Sequence, residues 1–187
     1  MAKLFFRYAA MNAGKSTALL QVAHNYEERG HGVRLFTARL DDRYGRGTIT
    51  SRLGPQREAE VFGPETDFLA MALQLPEVSC VLIDEAQFLL KPQVWALHEL
   101  AHVRNVPVIC YGLRTDFQGE LFPGSATLLA LADEMDEMKT ICNCGRKATM
   151  NMRVDANNRK VTEGNQVEIG GNARYRAVCG RCFRQQV

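Results

Sequence analysis

The chain has no apolar stretch approaching the ~18 residues that a membrane-spanning helix needs, which excludes a helical span. It also lacks the long apolar core of a secretory signal. Arg7 and a run of small residues interrupt its apolar start, so a cytoplasmic location is expected. Strong charge of one sign is missing too. There are 23 Lys and Arg against 21 Asp and Glu, and the resulting +2 is too small to argue for a nucleic-acid partner. No repeat or low-complexity tract breaks the sequence. What is present is 46% hydrophobic and 24% charged, the profile of a soluble globular protein. Its 187 residues suffice for one good core and a small satellite. A reducing compartment disfavours disulfides, so the six cysteines are expected to be core residues, metal ligands or catalytic groups.

The most informative segment is Ala9-Ala10-Met11-Asn12-Ala13-Gly14-Lys15-Ser16-Thr17, between an apolar run (Leu4-Phe5-Phe6) and an amphipathic stretch from Ala18. It matches the phosphate-binding G-x-x-x-x-G-K-[ST] loop except that Ala9 replaces the first glycine. Alanine can serve there if its φ is negative. Backbone N–H groups at a helix start point at an anion, and the helix dipole favours negative charge there. In such a loop Lys15 reaches the β- and γ-phosphates and the Ser16 hydroxyl binds Mg²⁺. A nucleoside triphosphate is the expected ligand.

Apolar segments 3–8, 32–37, 79–84 and 106–111 read as buried strands. Helical patterns cover 16–29, stopped at Gly30, then 65–75, stopped at Pro76, and 92–104, with Pro92 in the first turn. A last core helix is expected over 125–132 and a final core strand over 135–141. The alternation predicts an α/β fold with a parallel sheet covered on both faces. Residues 40–57, with Asp41, Asp42, Arg43, Arg46, Arg52 and Arg57 among glycines, read as a mobile surface loop, and 112–125 as a second loop. Composition changes after Ile141, which places a boundary there: a nucleotide-binding core over 1–141 and a metal-binding unit over 142–187.

Cys80-Val81-Leu82-Ile83 ends in Asp84-Glu85, and ligands of parallel sheets bind at strand carboxyl ends. Asp84 can hold Mg²⁺ opposite Ser16. Glu85, one residue beyond, suits a general base. Such a pair can activate water, giving an ATPase, or a hydroxyl, giving a kinase, and spacing alone does not separate them. Cys142-Asn143-Cys144 and Cys179-Gly180-Arg181-Cys182 together can make a four-thiolate structural zinc site, free thiols or a redox pair being the alternatives. A segment with little core needs such a staple. Cys80 and Cys110 lie in apolar strands and read as core. His98-Glu99-Leu100-Ala101-His102 matches the H-E-x-x-H zinc-protease pattern, but it has no third ligand nearby and links two core strands, so the histidines read as helix-surface residues.

The phosphate loop, Asp84-Glu85-Ala86-Gln87-Phe88, Thr115-Asp116-Phe117-Gln118 and Val167-Glu168-Ile169-Gly170-Gly171 through Tyr175 and Cys179 form an ordered set. This set resembles type II thymidine kinases over nearly the whole chain. The resemblance implies a P-loop (RecA-like) core with a small zinc-ribbon-like lasso domain. It implies ATP binding by residues 9–16 and by Asp84, Glu85, Ala86 and Gln87, with Glu85 accepting the proton of the thymidine 5′-hydroxyl. Phe117 then resembles the aromatic that packs on thymine, with Met11 and Leu113 as wall. Gln166, Val167, Glu168, Ile169 and Gly170 resemble the lasso strand that reads the base edge, and Tyr175 its partner. Asp41 and Arg43 resemble loop residues near the phosphates. A homotetramer and feedback inhibition by thymidine triphosphate (dTTP) are also implied. The competing expectation is a P-loop ATPase module acting with nucleic acid, against which the weak net charge argues. A weaker one is a zinc-scaffold interaction protein with a degenerate nucleotide site.

Overall fold

The computed structural model describes residues 1–41, 45, 47–73, 78–168 and 174–185. The chain begins with β1 (Leu4–Ala9), α1 (Lys15–Glu27) and β2 (Val33–Ala38), followed by the short strands β3 (Thr48–Thr50), β4 (Gln56–Glu58) and β5 (Glu60–Phe62). Next come α2 (Phe68–Leu73), β6 (Cys80–Ile83), a 3₁₀ turn (Ala86–Phe88), α3 (Lys91–His102), β7 (Val108–Leu113), α4 (Pro123–Leu131) and β8 (Glu134–Glu137). The rest is β9 (Thr140–Ile141), β10 (Lys147–Ala148), β11 (Met150–Arg153), β12 (Tyr175–Val178) and α5 (Gly180–Arg184). Among the described residues, six strands form one sheet in the order β5-β2-β6-β7-β1-β8, with every pairing parallel. The fold is therefore α/β with a parallel sheet, as the strand–helix alternation predicts.

Period-two alternation explains why the strands are apolar throughout. Leu4, Phe6, Val81, Ile83, Val108 and Cys110 face one side and pack with Val94, Leu97 and Leu100 of α3 and Leu128 of α4. Cys80, Leu82, Ile109 and Tyr111 face the other side and pack with Leu19, Leu20 and Ala23 of α1. Helix α1 stops where Gly30 takes φ 76°: His31 N–H bonds Tyr26 C=O and Gly30 N–H bonds Glu27 C=O, a Schellman closure.

Three expectations need correction. Residues 40–57 are not simply a surface loop: β3 and β4 pair as a hairpin, and Ile49 is buried against α1. The strand β5, unread in the sequence, adds an edge beside β2. The stretch 135–141 is not one core strand. It splits into β8, an exposed edge whose Glu134, Met135 and Asp136 face out, and β9, which pairs with β10 in a separate small sheet. Helix α4 also starts earlier than expected, because Pro123 occupies its first turn, where a missing N–H costs nothing. Pro76, Arg43, Ile169 and Gly170 lie outside the described residues.

Beyond β8, a small second core gathers Ala148, Met152, Val154 and Val178 around Cys142 and Cys179. Strand β11 joins two environments. Its apolar Met152 enters this core, while the alternate residues Asn151 and Arg153, also buried, project from its opposite face.

Candidate active site

The loop after β1 carries its left-handed turns on Asn12 (φ 65°) and Gly14 (φ 80°), residue types that tolerate them. Ala9 ends β1 in ordinary strand geometry and is buried, so the missing first glycine is not needed. Gly14 has no side chain to cap α1, and the first turn holds no acidic residue. The N–H groups and dipole of this helix end are thereby directed to an external anion. The Lys15 ammonium curls back over the loop and donates to Ala10 C=O at 3.4 Å.

Asp84 follows β6 immediately and is 3% exposed. Ser16 Oγ donates to its Oδ2 at 3.0 Å, so the two groups expected to share a cation meet across 68 residues of sequence. Burial, then the neighbouring Glu85 charge, pushes the Asp84 carboxyl up to about 7, against the Ser16 hydrogen bond and the Lys15 charge. Glu85 itself stands at φ 53°, a left-handed conformation unusual outside glycine and frequent at functional sites. Gln87 fixes it: Gln87 Nε2 donates to Glu85 Oε2 at 2.5 Å while Gln87 Oε1 accepts from Leu113 N–H at 3.0 Å. The close approach is possible because residue 112 is glycine; a Cβ there would lie 2.9 Å from Gln87 Oε1.

A single cavity of about 360 Å³ runs from the phosphate loop past Glu85 to Phe117, Gln166–Glu168 and Tyr175. Of the expected phosphate and base residues, Met11–Ser16, Glu85, Gln87, Phe117, Gln166–Glu168 and Tyr175 line it, whereas Ala9, Ala10, Asp84 and Ala86 are buried and do not. Phe117 is buried, and the Arg153 guanidinium lies 3.5 Å from its ring centroid. Arg153 also pairs with Glu168 at 3.1 Å and donates to Asn165 C=O at 2.6 Å. Asp116 closes an Asx-type turn by accepting from Gln118 and Glu120 N–H, and its other oxygen accepts from Gln166 Nε2 at 2.9 Å. Sequence reading missed Asn151 and Arg153. Strand alternation alone marks them as the face opposite Met152, which normally means solvent, and what covers that face is Met11, Thr115 and Phe117, all distant in sequence.

The sulfurs of Cys142, Cys144, Cys179 and Cys182 lie within 4.8 Å of one another, with Cys144 and Cys179 3.6 Å apart. Zn–S bonds of about 2.3 Å in a tetrahedron would set sulfurs about 3.8 Å apart, so the donor set fits a thiophilic ion. The Cys182 N–H, donated to Cys179 Sγ, lowers that thiol to about 6, while hydrogen bonds among the sulfurs push Cys182 up to about 12, so the fit to a metal rests on the sulfur geometry. Among the described residues this is the one group of three or more able to hold a metal. His98 and His102 do share a face of α3, with rings 4.2 Å apart, and His102 Nε2 lies 3.0 Å from Asp133, but among the described residues these side chains do not form a three-ligand group.

The model of the family described as thymidine kinase matches residues 2–183. A thymidine kinase of Chromobacterium violaceum is 64% identical over 183 residues, covering 98% of both chains. One of Ruegeria pomeroyi is 57% identical over 188 residues, with 99% of this chain and 95% of that one covered. One of Legionella pneumophila (strain Lens) is 59% identical over 184 residues, with 96% and 88% covered. With the phosphate loop, the Asp84-Glu85 pair and the cysteine cluster all inside the matched span, the chain belongs to the thymidine kinase family.

Proposed function

We propose that this protein transfers the γ-phosphoryl group of ATP to the 5′-hydroxyl of thymidine, giving thymidine monophosphate for nucleotide salvage and DNA synthesis. The carrying observation is the continuity of one cavity from the phosphate loop to Phe117 and Tyr175, with Glu85 between its two ends. In this reading residues 9–16 cradle the phosphates, and Lys15 neutralises charge on the moving phosphoryl group. Ser16 and Asp84 are hard oxygen donors suited to Mg²⁺, which supplies further charge neutralisation on the phosphate oxygens. Glu85, oriented by Gln87, accepts the proton of the attacking hydroxyl. Phe117 and Tyr175 flank the base, and Gln166, Val167 and Glu168 line the cavity beside it and help exclude water. The four cysteines hold structural zinc, which staples the small second core.

A cytoplasmic location, a homotetramer and inhibition by dTTP belong to the same proposal. Among the described residues no helix is long and apolar enough to cross a membrane, which is compatible with that location. Thymidine triphosphate joins a base and a phosphate chain in one molecule and could therefore occupy both ends of the cavity. The deciding experiment is ADP release with MgATP in the presence of thymidine, deoxycytidine, uridine or no acceptor. Release only with thymidine, with the monophosphate as product, supports the kinase. Release without any nucleoside would overturn it in favour of an ATPase, and stimulation by nucleic acid would then become the question.

A further inference from the structure

Asn151 is a buried amide with both polar atoms committed, each to a different loop. It lies in β11 and is 3% exposed. Its Oδ1 accepts from the Met11 N–H at 2.8 Å, and its Nδ2 donates to the Thr115 C=O at 3.0 Å. Met11 belongs to the phosphate loop, and Thr115 precedes Asp116 and Phe117 on the neighbouring loop; all of them line the cavity. The amide has a firm base. Asn151 pairs with Ala177 of β12, and the neighbouring Met152 is locked into the cysteine core. A planar carboxamide presents one acceptor and one donor at fixed spacing, so it can bridge an N–H on one loop and a C=O on another.

We infer that Asn151 is a positioning residue for phosphoryl transfer: it holds Met11 and Thr115 at a fixed separation and so sets the acceptor wall relative to the phosphate loop. The inference rests on the kinase reading above. Asn151 touches the loop at Met11 and not at Gly14-Lys15-Ser16, where the N–H groups of the α1 start face a phosphate in this reading. What Asn151 governs is where the Thr115–Phe117 loop, and hence the nucleoside hydroxyl, stands when transfer occurs. Transfer demands alignment of nucleophile and phosphoryl group, and a hydroxyl held out of line loses to water. Loss of Asn151 should therefore uncouple ATP consumption from product formation rather than weaken ATP binding.

The test compares wild type with Asn151→Leu, similar in size but without donor or acceptor, and Asn151→Asp, which keeps the acceptor for Met11 and sets a second oxygen against the Thr115 carbonyl. ADP and thymidine monophosphate are quantified in the same reaction, with KM for thymidine and for ATP. Wild type should give about one ADP per product. Both variants should form product about tenfold more slowly, with a raised thymidine KM, ADP in excess of product and an unchanged ATP KM. Asn151→Ser, whose hydroxyl can both donate and accept, should recover part of the loss. If Asn151→Leu melts below the assay temperature, Asn151→Asp decides. An unchanged product ratio and thymidine KM in an active kinase, or an ATP KM rising in step with that for thymidine, would overturn the inference alone. A wild-type protein that forms no product from thymidine would overturn the kinase reading, and this inference with it.

Discussion

Asp84 and Glu85 are adjacent carboxylates in unlike surroundings, and that difference divides their work. Asp84 is sealed beneath Ser16, whereas Glu85 faces the cavity and is oriented by Gln87. Glu85→Gln keeps an oxygen that can accept the Gln87 amide proton but cannot act as a base. Product formation should fall by about 10²-fold or more, with ATP affinity measured by calorimetry unchanged; a variant retaining most of its rate would remove Glu85 from the role of base. Asp84 has a stability signature as well. Its folded-state value of about 7 exceeds the ordinary 3.8, so the folded protein holds this proton more tightly than the unfolded chain. The group therefore favours folding at low pH, and that contribution is lost as pH rises from about 4 through about 7. Without added Mg²⁺ or nucleotide, Asp84→Asn should be more stable than wild type at pH 8, by on the order of 4 kcal/mol, and equal to it near pH 4. Thermal melts across that range check this, and the same variant should lose kinase activity. Parallel melting curves at every pH would show that burial does not disfavour the Asp84 charge.

The elements that present these residues depend on close backbone approach at two glycines. Gly112 admits the Gln87 side chain, and Gly124, in the first turn of α4, lies against the 3₁₀ turn. A Cβ on residue 124 would sit 2.6 Å from Ala86 C=O and 2.8 Å from both Gln87 and Leu89 C=O. Gly124→Ala must therefore push α4 away from the turn that carries Gln87, costing about 1–3 kcal/mol and lowering turnover by misplacing Glu85. Urea denaturation paired with steady-state rates tests this; wild-type stability would mean that α4 slides freely. Such contacts mark the limit of what the sequence discloses. The strand–helix alternation, the phosphate loop, the Asp84-Glu85 pair and the cysteine pairs are legible because each is a local pattern with a local cause. The β3–β4 hairpin escaped because its strands are three residues long and rich in polar residues, with Ile49 the buried anchor. Asn151 and Arg153 escaped because their partners, Met11 and Phe117, lie far away in sequence. A polar residue in an alternating strand announces a face but not what covers it.

At the scale of the whole molecule, the large parallel sheet and the small cysteine-centred core are stabilised by different means. The sheet buries apolar strands on both faces and closes without help. The second core has few apolar residues and surrounds four thiol groups, so its folding should be coupled to metal binding. The two meet through polar side chains: Asn151 to Met11, Gln166 to Asp116, and Gln118 Nε2 to Thr162 C=O at 3.1 Å. Metal loss should therefore act on the acceptor end of the cavity before it disturbs the sheet. Elemental analysis of the purified protein should find about one zinc per chain. After stripping with a strong chelator, limited proteolysis should cut first beyond residue 141 and leave the sheet resistant, and thymidine binding should be lost while ATP still binds. Thiol chemistry provides an independent check. Burial pushes the Cys80 thiol up to about 12 and raises Cys110 as well, so both should resist alkylation in the native sheet. Cys142, Cys144, Cys179 and Cys182 should be protected while zinc is bound and should all react once it is removed. Equal reactivity before and after chelation would argue against a metal at these sulfurs. Labelling of Cys80 and Cys110 alongside them would mean that the sheet opens too, and that the metal supports the whole fold rather than one end of it.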